Sequence, residues 1–70
     1  MRVRLNDAAY IRRLKASLLA AGCLAEQVEP GTIRVIHPDA VDDAEAHVEL
    51  EFFVRAWQLD HPRVVAEFLP

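Results

Sequence analysis

Met1-Arg2-Val3-Arg4-Leu5 opens the chain with apolar and charged side chains in unbroken alternation. A period of two marks a half-buried strand, because successive side chains leave a pleated backbone on opposite faces. Met1, Val3 and Leu5 are therefore expected to face a core, with Arg2 and Arg4 on the other side. The next residues supply a helix. Asn6 or Asp7 offers an N-cap, since a short side-chain oxygen accepts from the free amides of a first turn. Ala8, Ile11, Leu14, Leu18 and Ala21 recur at helical spacing. Gly22 ends this helix, because a left-handed C′ residue is least strained without a Cβ.

Cys23 to Glu29 reads as a second, weaker strand, and Pro30-Gly31 as a turn. Proline presets φ at the second position of a type II turn and glycine accepts the positive φ of the third. That turn is not the one a two-residue hairpin prefers, so a bulge or a slightly longer loop is expected here. Thr32 to His37 is a β-rich third strand, with Ile33, Val35 and His37 on one face and Thr32, Arg34 and Ile36 on the other. Pro38-Asp39 breaks it. Asp42 or Asp39 is the expected cap of the second helix; Asp42-x-x-Glu45 resembles a capping box, and Asp39, Asp42, Asp43 and Glu45 bring negative charge to the positive end of the helix dipole. This second helix extends to about Leu59, where His61-Pro62 stops it. Arg63 to Leu69 is the last strand.

The order strand, helix, strand, strand, helix, strand, joined by right-handed crossovers, predicts an α+β fold. Its expected form is the ferredoxin-like β-α-β-β-α-β open-faced sandwich: a four-stranded antiparallel sheet, two helices on one face, and the first and third strands adjacent in the centre. With the first strand frayed, the alternative is α-β-β-α-β on three strands. Seventy residues allow a single domain, residues 1–70. A chain this short buries only about 60% of the surface it exposes when unfolded. Disulfides, metals and oligomerisation are the usual reinforcements, and Cys23, the one cysteine, has no partner within the chain. The 53% hydrophobic content argues for a packed core. No apolar run approaches the roughly 20 residues a bilayer requires. With one thiol and no apolar leader, the expected setting is the cytoplasm, with no membrane partner.

Charge is unevenly placed. Residues 1–15 carry five cations against Asp7, a balance of +4, whereas residues 16–54 carry eight acids against Arg34, a balance of −7. Arg2, Arg4 and Arg34 are predicted to share the open sheet face, where three guanidinium groups form a candidate anion-binding surface. Cross-strand pairing with Glu67 on one side and Glu26 or Glu29 on the other is the competing role. The central strands lack the aromatics on which this fold pattern stacks bases, and the net charge is −3, so no nucleic-acid partner is expected.

No catalytic centre is predicted. Cys23, His37, His47 and His61 are spaced without a close ligand pair, so no metal is expected. Cys23 follows a helix C-terminus, whose partial negative charge opposes thiolate formation. Gly22 and Gly31 are the only glycines, too few for a phosphate-cradling loop, and Ser17 lies mid-helix without an acid/base partner. No cofactor is implied.

The second helix is the most informative element. Val41, Val48, Phe52, Ala56 and Leu59 share one face by helical phase, and Ala46, Leu50, Phe53, Val54 and Trp57 form a second. Only His47, Glu51, Arg55 and Gln58 make a polar stripe, with Glu51 and Arg55 spaced to pair. That is more apolar surface than one sheet contact covers. The expectation is a non-catalytic protein-interaction module, most simply a homodimer or a domain docking on another protein. The interface is assigned to Leu50, Phe53 and Trp57, and the first-named face to the sheet.

The passage leaving the first helix, Leu19-Ala20-Ala21-Gly22-Cys23, together with the element order, resembles the ACT class of amino-acid-binding domains. The resemblance implies a small regulatory domain that takes a small-molecule ligand. Those domains usually have a glycine in the turn after the first strand, where this chain has Asn6-Asp7, and no binding residue carries over.

Overall fold

In the computed structural model, which describes residues 1–70, the alternating N-terminal segment is a strand, β1 (Arg2–Leu5). It is followed by a 3₁₀ turn (Ala8–Tyr10), α1 (Ile11–Ala20), β2 (Leu24–Glu29), β3 (Thr32–Ile36), α2 (Asp43–Leu59) and β4 (Ala66–Leu69). The four strands form one antiparallel sheet in the order β2-β3-β1-β4. β1 and β3 are therefore central neighbours, and Val3 lies opposite Ile33 on one side and Phe68 on the other.

Alternation sets the two faces, except that Thr32, expected on the outer side with Arg34 and Ile36, is buried. Val3, Leu5, Ile33, Val35 and Ala66 are buried, while Arg2, Arg4, Arg34 and Glu67 are exposed. Ile11, Leu14 and Leu18 of α1 and Leu50, Val54 and Trp57 of α2 join those strand residues, with Cys23 and Val64, in a single core cluster. Each fully buried Val, Leu or Ile side chain contributes about 1.5–3 kcal/mol, so this cluster is the dominant stabilising term. No helix is long and apolar enough to cross a membrane.

Several local expectations are corrected. Asp7 is the cap, accepting from the Ala9 amide at 3.0 Å, but it caps the 3₁₀ turn, and α1 begins three residues later than the apolar pattern suggests. Asn6 instead joins the two ends of the chain. Its Oδ1 accepts from the Val65 amide at 2.7 Å and its Nδ2 donates to the Arg63 carbonyl at 3.4 Å. With the Val65 amide so occupied and Val64 tied back to His61 in a turn, β4 starts at Ala66 rather than Arg63.

Gly22 takes a φ of +88° and closes α1 as its sequence position implies. Gly31 does not take a positive φ, so the Pro30-Gly31 connection is not the type II turn expected. The β2–β3 register shifts between Gln27 and Glu29, a bulge that adapts the hairpin twist to its turn. Gly31 matters for space: a Cβ there would lie 3.2 Å from the Leu5 carbonyl oxygen. Asp42 caps α2, its Oδ1 accepting from the Glu45 amide at 2.8 Å.

Candidate functional site

The two apolar faces of α2 have different fates, and the assignment made from helical phase is reversed. Leu50 and Trp57 are core residues, 2% and 8% exposed, and Phe53 is half-buried against the same cluster. They cannot offer a docking surface. The opposite stripe stands in solvent: Val48 is 67%, Phe52 78% and Leu59 82% exposed, and Val41, just before the helix, is 84% exposed.

The physical reason lies in what each stripe meets. Leu50, Phe53, Val54 and Trp57 run at spacings of three and four, a continuous ridge wide enough to cover strand residues on the inner sheet face. Trp57 gains a further partner that hydropathy does not reveal. Its ring stacks on His61, with centroids 4.1 Å apart and planes 19° apart. His61 Nδ1 lies 2.9 Å from the Trp57 carbonyl oxygen, and Tyr10 meets the imidazole edge-on at 5.7 Å. The stack pins the C-terminal end of α2 in rotation.

The polar stripe between the two faces is also wired differently from its spacing. Glu51 pairs with His47 at 3.4 Å, one turn earlier, and not with Arg55. Arg55 turns toward β4, where Nη1 donates to Gln58 Oε1 at 3.0 Å and to the Ala66 carbonyl at 3.1 Å. Its guanidinium lies over the Phe68 ring, 4.9 Å from the centroid. A backbone carbonyl carries no side-chain signature, so nothing in the sequence marks this partner. Glu45 has no ion pair within the chain.

On the open sheet face, Arg2 and Arg34 are direct cross-strand partners and Arg4 follows on the same strand face as Arg2. The three arginines predicted as a cluster are thus together. Two of them have carboxylate partners of the kind expected from the strand order: Arg34 pairs with Glu26 at 2.9 Å and Arg4 with Glu67 at 3.8 Å. Arg2 donates to the Pro70 carbonyl at 3.2 Å. Leu24 and Ile36, also cross-strand partners, share this face and are half exposed. The face is a mixed surface of compensated charge.

Cys23, His37 and Glu49 line a small pocket of about 280 Å³ with Leu50, Phe52 and Phe53. Burial pushes the Cys23 thiol up from its ordinary pKa, and the carboxylates of Glu49 and Asp39 push it in the same direction. His37 Nε2 contacts Glu49 Oε2, and its buried Nδ1 has no partner. This environment keeps the sulfur protonated, the opposite of what a nucleophile needs. No three His, Cys, Asp or Glu side chains converge in a ligating group.

A larger open groove of about 620 Å³ runs between the first half of α2 and the ends of β1, β3 and β4. Its walls include Met1, Val35, His37, Ala46, Leu50 and Phe68. No protein family, curated protein or solved structure matches this chain.

Proposed function

We propose that this chain is a small, non-catalytic protein-interaction module of ferredoxin-like fold that self-associates through the outward face of α2. One observation carries the reading. Val41, Val48, Phe52 and Leu59 are each at least two-thirds exposed, although the opposite face of the same helix already fills the core. Side chains of this size at these exposures present on the order of 500 Å² of apolar surface, toward the upper end of what a monomer's largest patch reaches. Two copies covering it remove about 1,000 Å² from water, the lower bound for a specific interface.

The strand order, with β1 and β3 central and both helices feeding one core, supports the ferredoxin-like assignment. The raised Cys23 pKa supports a non-catalytic role, and a lone buried thiol suits a reducing cytoplasm.

Sedimentation equilibrium tests this. The wild-type chain is expected to exceed monomer mass at micromolar concentrations, and Phe52→Glu to return it to a folded monomer. A wild-type chain that stays monomeric at millimolar concentration, or a Phe52→Glu variant that associates as strongly as wild type, overturns the proposal.

The 620 Å³ groove favours a second reading, the amino-acid-binding regulatory domain that the Leu19–Cys23 passage suggests. A ligand at 100 times its Kd adds about 2.7 kcal/mol to stability. An amino-acid panel that leaves the melting temperature unmoved eliminates it.

A further inference from the structure

We infer that the pocket of about 280 Å³ between the end of α1 and the middle of α2 binds a small aromatic molecule whose single O–H or N–H donates to Nδ1 of His37. This site does not depend on the self-association proposed above, and it is a different cavity from the groove of about 620 Å³.

Small side chains make the space. Ala21 follows α1, Cys23 precedes β2, and α2 contributes Ala56 beside Leu50, Phe52 and Phe53. An apolar cavity of about 150 Å³ already accepts benzene, so this one holds a single substituted ring. The two phenylalanines in its wall favour an aromatic guest over an aliphatic one, because offset and edge-to-face ring contacts add to apolar burial.

Hydrogen bonding defines the donor. Cys23, His37 and Glu49 are the only lining residues with polar side chains. His37 Nε2 contacts Glu49 Oε2, and a carboxylate only accepts, so Nε2 is the donor of this pair. In the neutral ring Nδ1 is then an acceptor. It is the one buried side-chain nitrogen or oxygen of the chain without a hydrogen-bond partner. An acceptor buried in this way costs free energy that a donor on the guest recovers.

Charge excludes the other guests. No Lys or Arg lines the pocket, and the Glu49 and Asp39 carboxylates both oppose ionisation of the Cys23 thiol. The same field repels an anion. The guest is therefore neutral or cationic: a phenol, an indole or an aromatic amine by class. A free amino acid, considered above for the larger groove, would bring a carboxylate into this field without a cation to meet it.

Phenol and toluene, which differ by a hydroxyl in place of a methyl, test the site when titrated into the full chain and followed by proton–nitrogen NMR. Both are expected to bind saturably, and only phenol to move the His37 Nδ1 resonance. His37→Phe keeps a ring and removes the acceptor, so it should weaken phenol about three- to tenfold and toluene by less than about twofold. His37 also lines the larger groove, and two further variants separate the cavities. Ala56→Leu fills the small pocket and should abolish binding of both probes, whereas Ala46→Leu narrows the groove and should leave binding unchanged. The wild-type Nδ1 response decides the matter should His37→Phe fail to fold. The site is overturned by the absence of saturable phenol binding, by binding that leaves Nδ1 unmoved, or by binding lost in Ala46→Leu and kept in Ala56→Leu. Phenol affinity that falls as chain concentration rises gives the pocket to a second copy and overturns it equally. A chain that is monomeric throughout refutes the proposed function and leaves this site standing.

Discussion

The indole of Trp57 stacks on the imidazole of His61 at 4.1 Å between centroids, and through it the last turn of α2 is fixed against the segment leading into β4. Phe52, little more than one turn away, makes no such contact and is 78% exposed. Trp57→Ala should therefore cost about 3–5 kcal/mol, enough to unfold much of a population this small a domain can hold folded. Phe52→Ala should change stability by less than about 0.5 kcal/mol. Urea denaturation at concentrations too low for association distinguishes them, and equal losses contradict the assignment of faces.

β1 is flanked on both sides, by β3 and β4, and its Val3 is fully buried. Removing residues 1–5 takes the centre from the sheet and leaves β4 with no neighbour. Cooperative unfolding should disappear, read as a broad, sloping circular dichroism melt without a transition. A truncated chain that melts sharply near the wild-type temperature removes β1 from the folded core.

Gly22 sits at a φ of +88° with nothing within 4 Å of the place a Cβ would occupy. The expected cost of Gly22→Ala, about 1–2 kcal/mol, is thus backbone strain without a clash. Gly22→Asn should cost less, since asparagine tolerates the left-handed region. An alanine variant as stable as wild type shows that α1 ends differently.

Cys23 supplies a pH dependence whose sign is determined. Its pKa is raised in the folded state by burial and by Glu49 and Asp39, while the unfolded thiol titrates near its ordinary value of about 8.5. The folded state holds its proton longer, so the contribution to stability is complete below that value and is lost as pH rises through the folded pKa. Stability should decline above about pH 8.5, and Cys23→Ala should decline less. Thiol labelling at pH 8 should be much slower in buffer than in urea; equal rates disprove the burial.

Legibility in the sequence followed the range of the interactions concerned. β1, Gly22 and the Asp42 cap were readable because each depends on a few adjacent residues: an alternation, a missing Cβ, an oxygen three residues before an amide. Arg55 and Asn6 were not, since spacing suggested Glu51 for the one and a helix cap for the other. Their actual partners, the Ala66 carbonyl and the Val65 amide, are backbone groups distant in the chain.

By itself the sequence determined the succession of strands and helices, the inward set Val3, Leu5, Ile33 and Val35, and the presence of two apolar faces on α2. Periodicity suffices for these, because the 2.0 and 3.6 repeats are properties of the local backbone. Which α2 face would be buried was decided in three dimensions. The Leu50–Val54–Trp57 and Val48–Phe52–Leu59 stripes are nearly matched in apolar content, and only the burial of the first sets those side chains among Val3, Ile33 and Val35 and brings Arg55 onto the edge of β4. Rotation of a helix on a sheet is set by such tertiary contacts, and they leave Val48, Phe52 and Leu59 exposed.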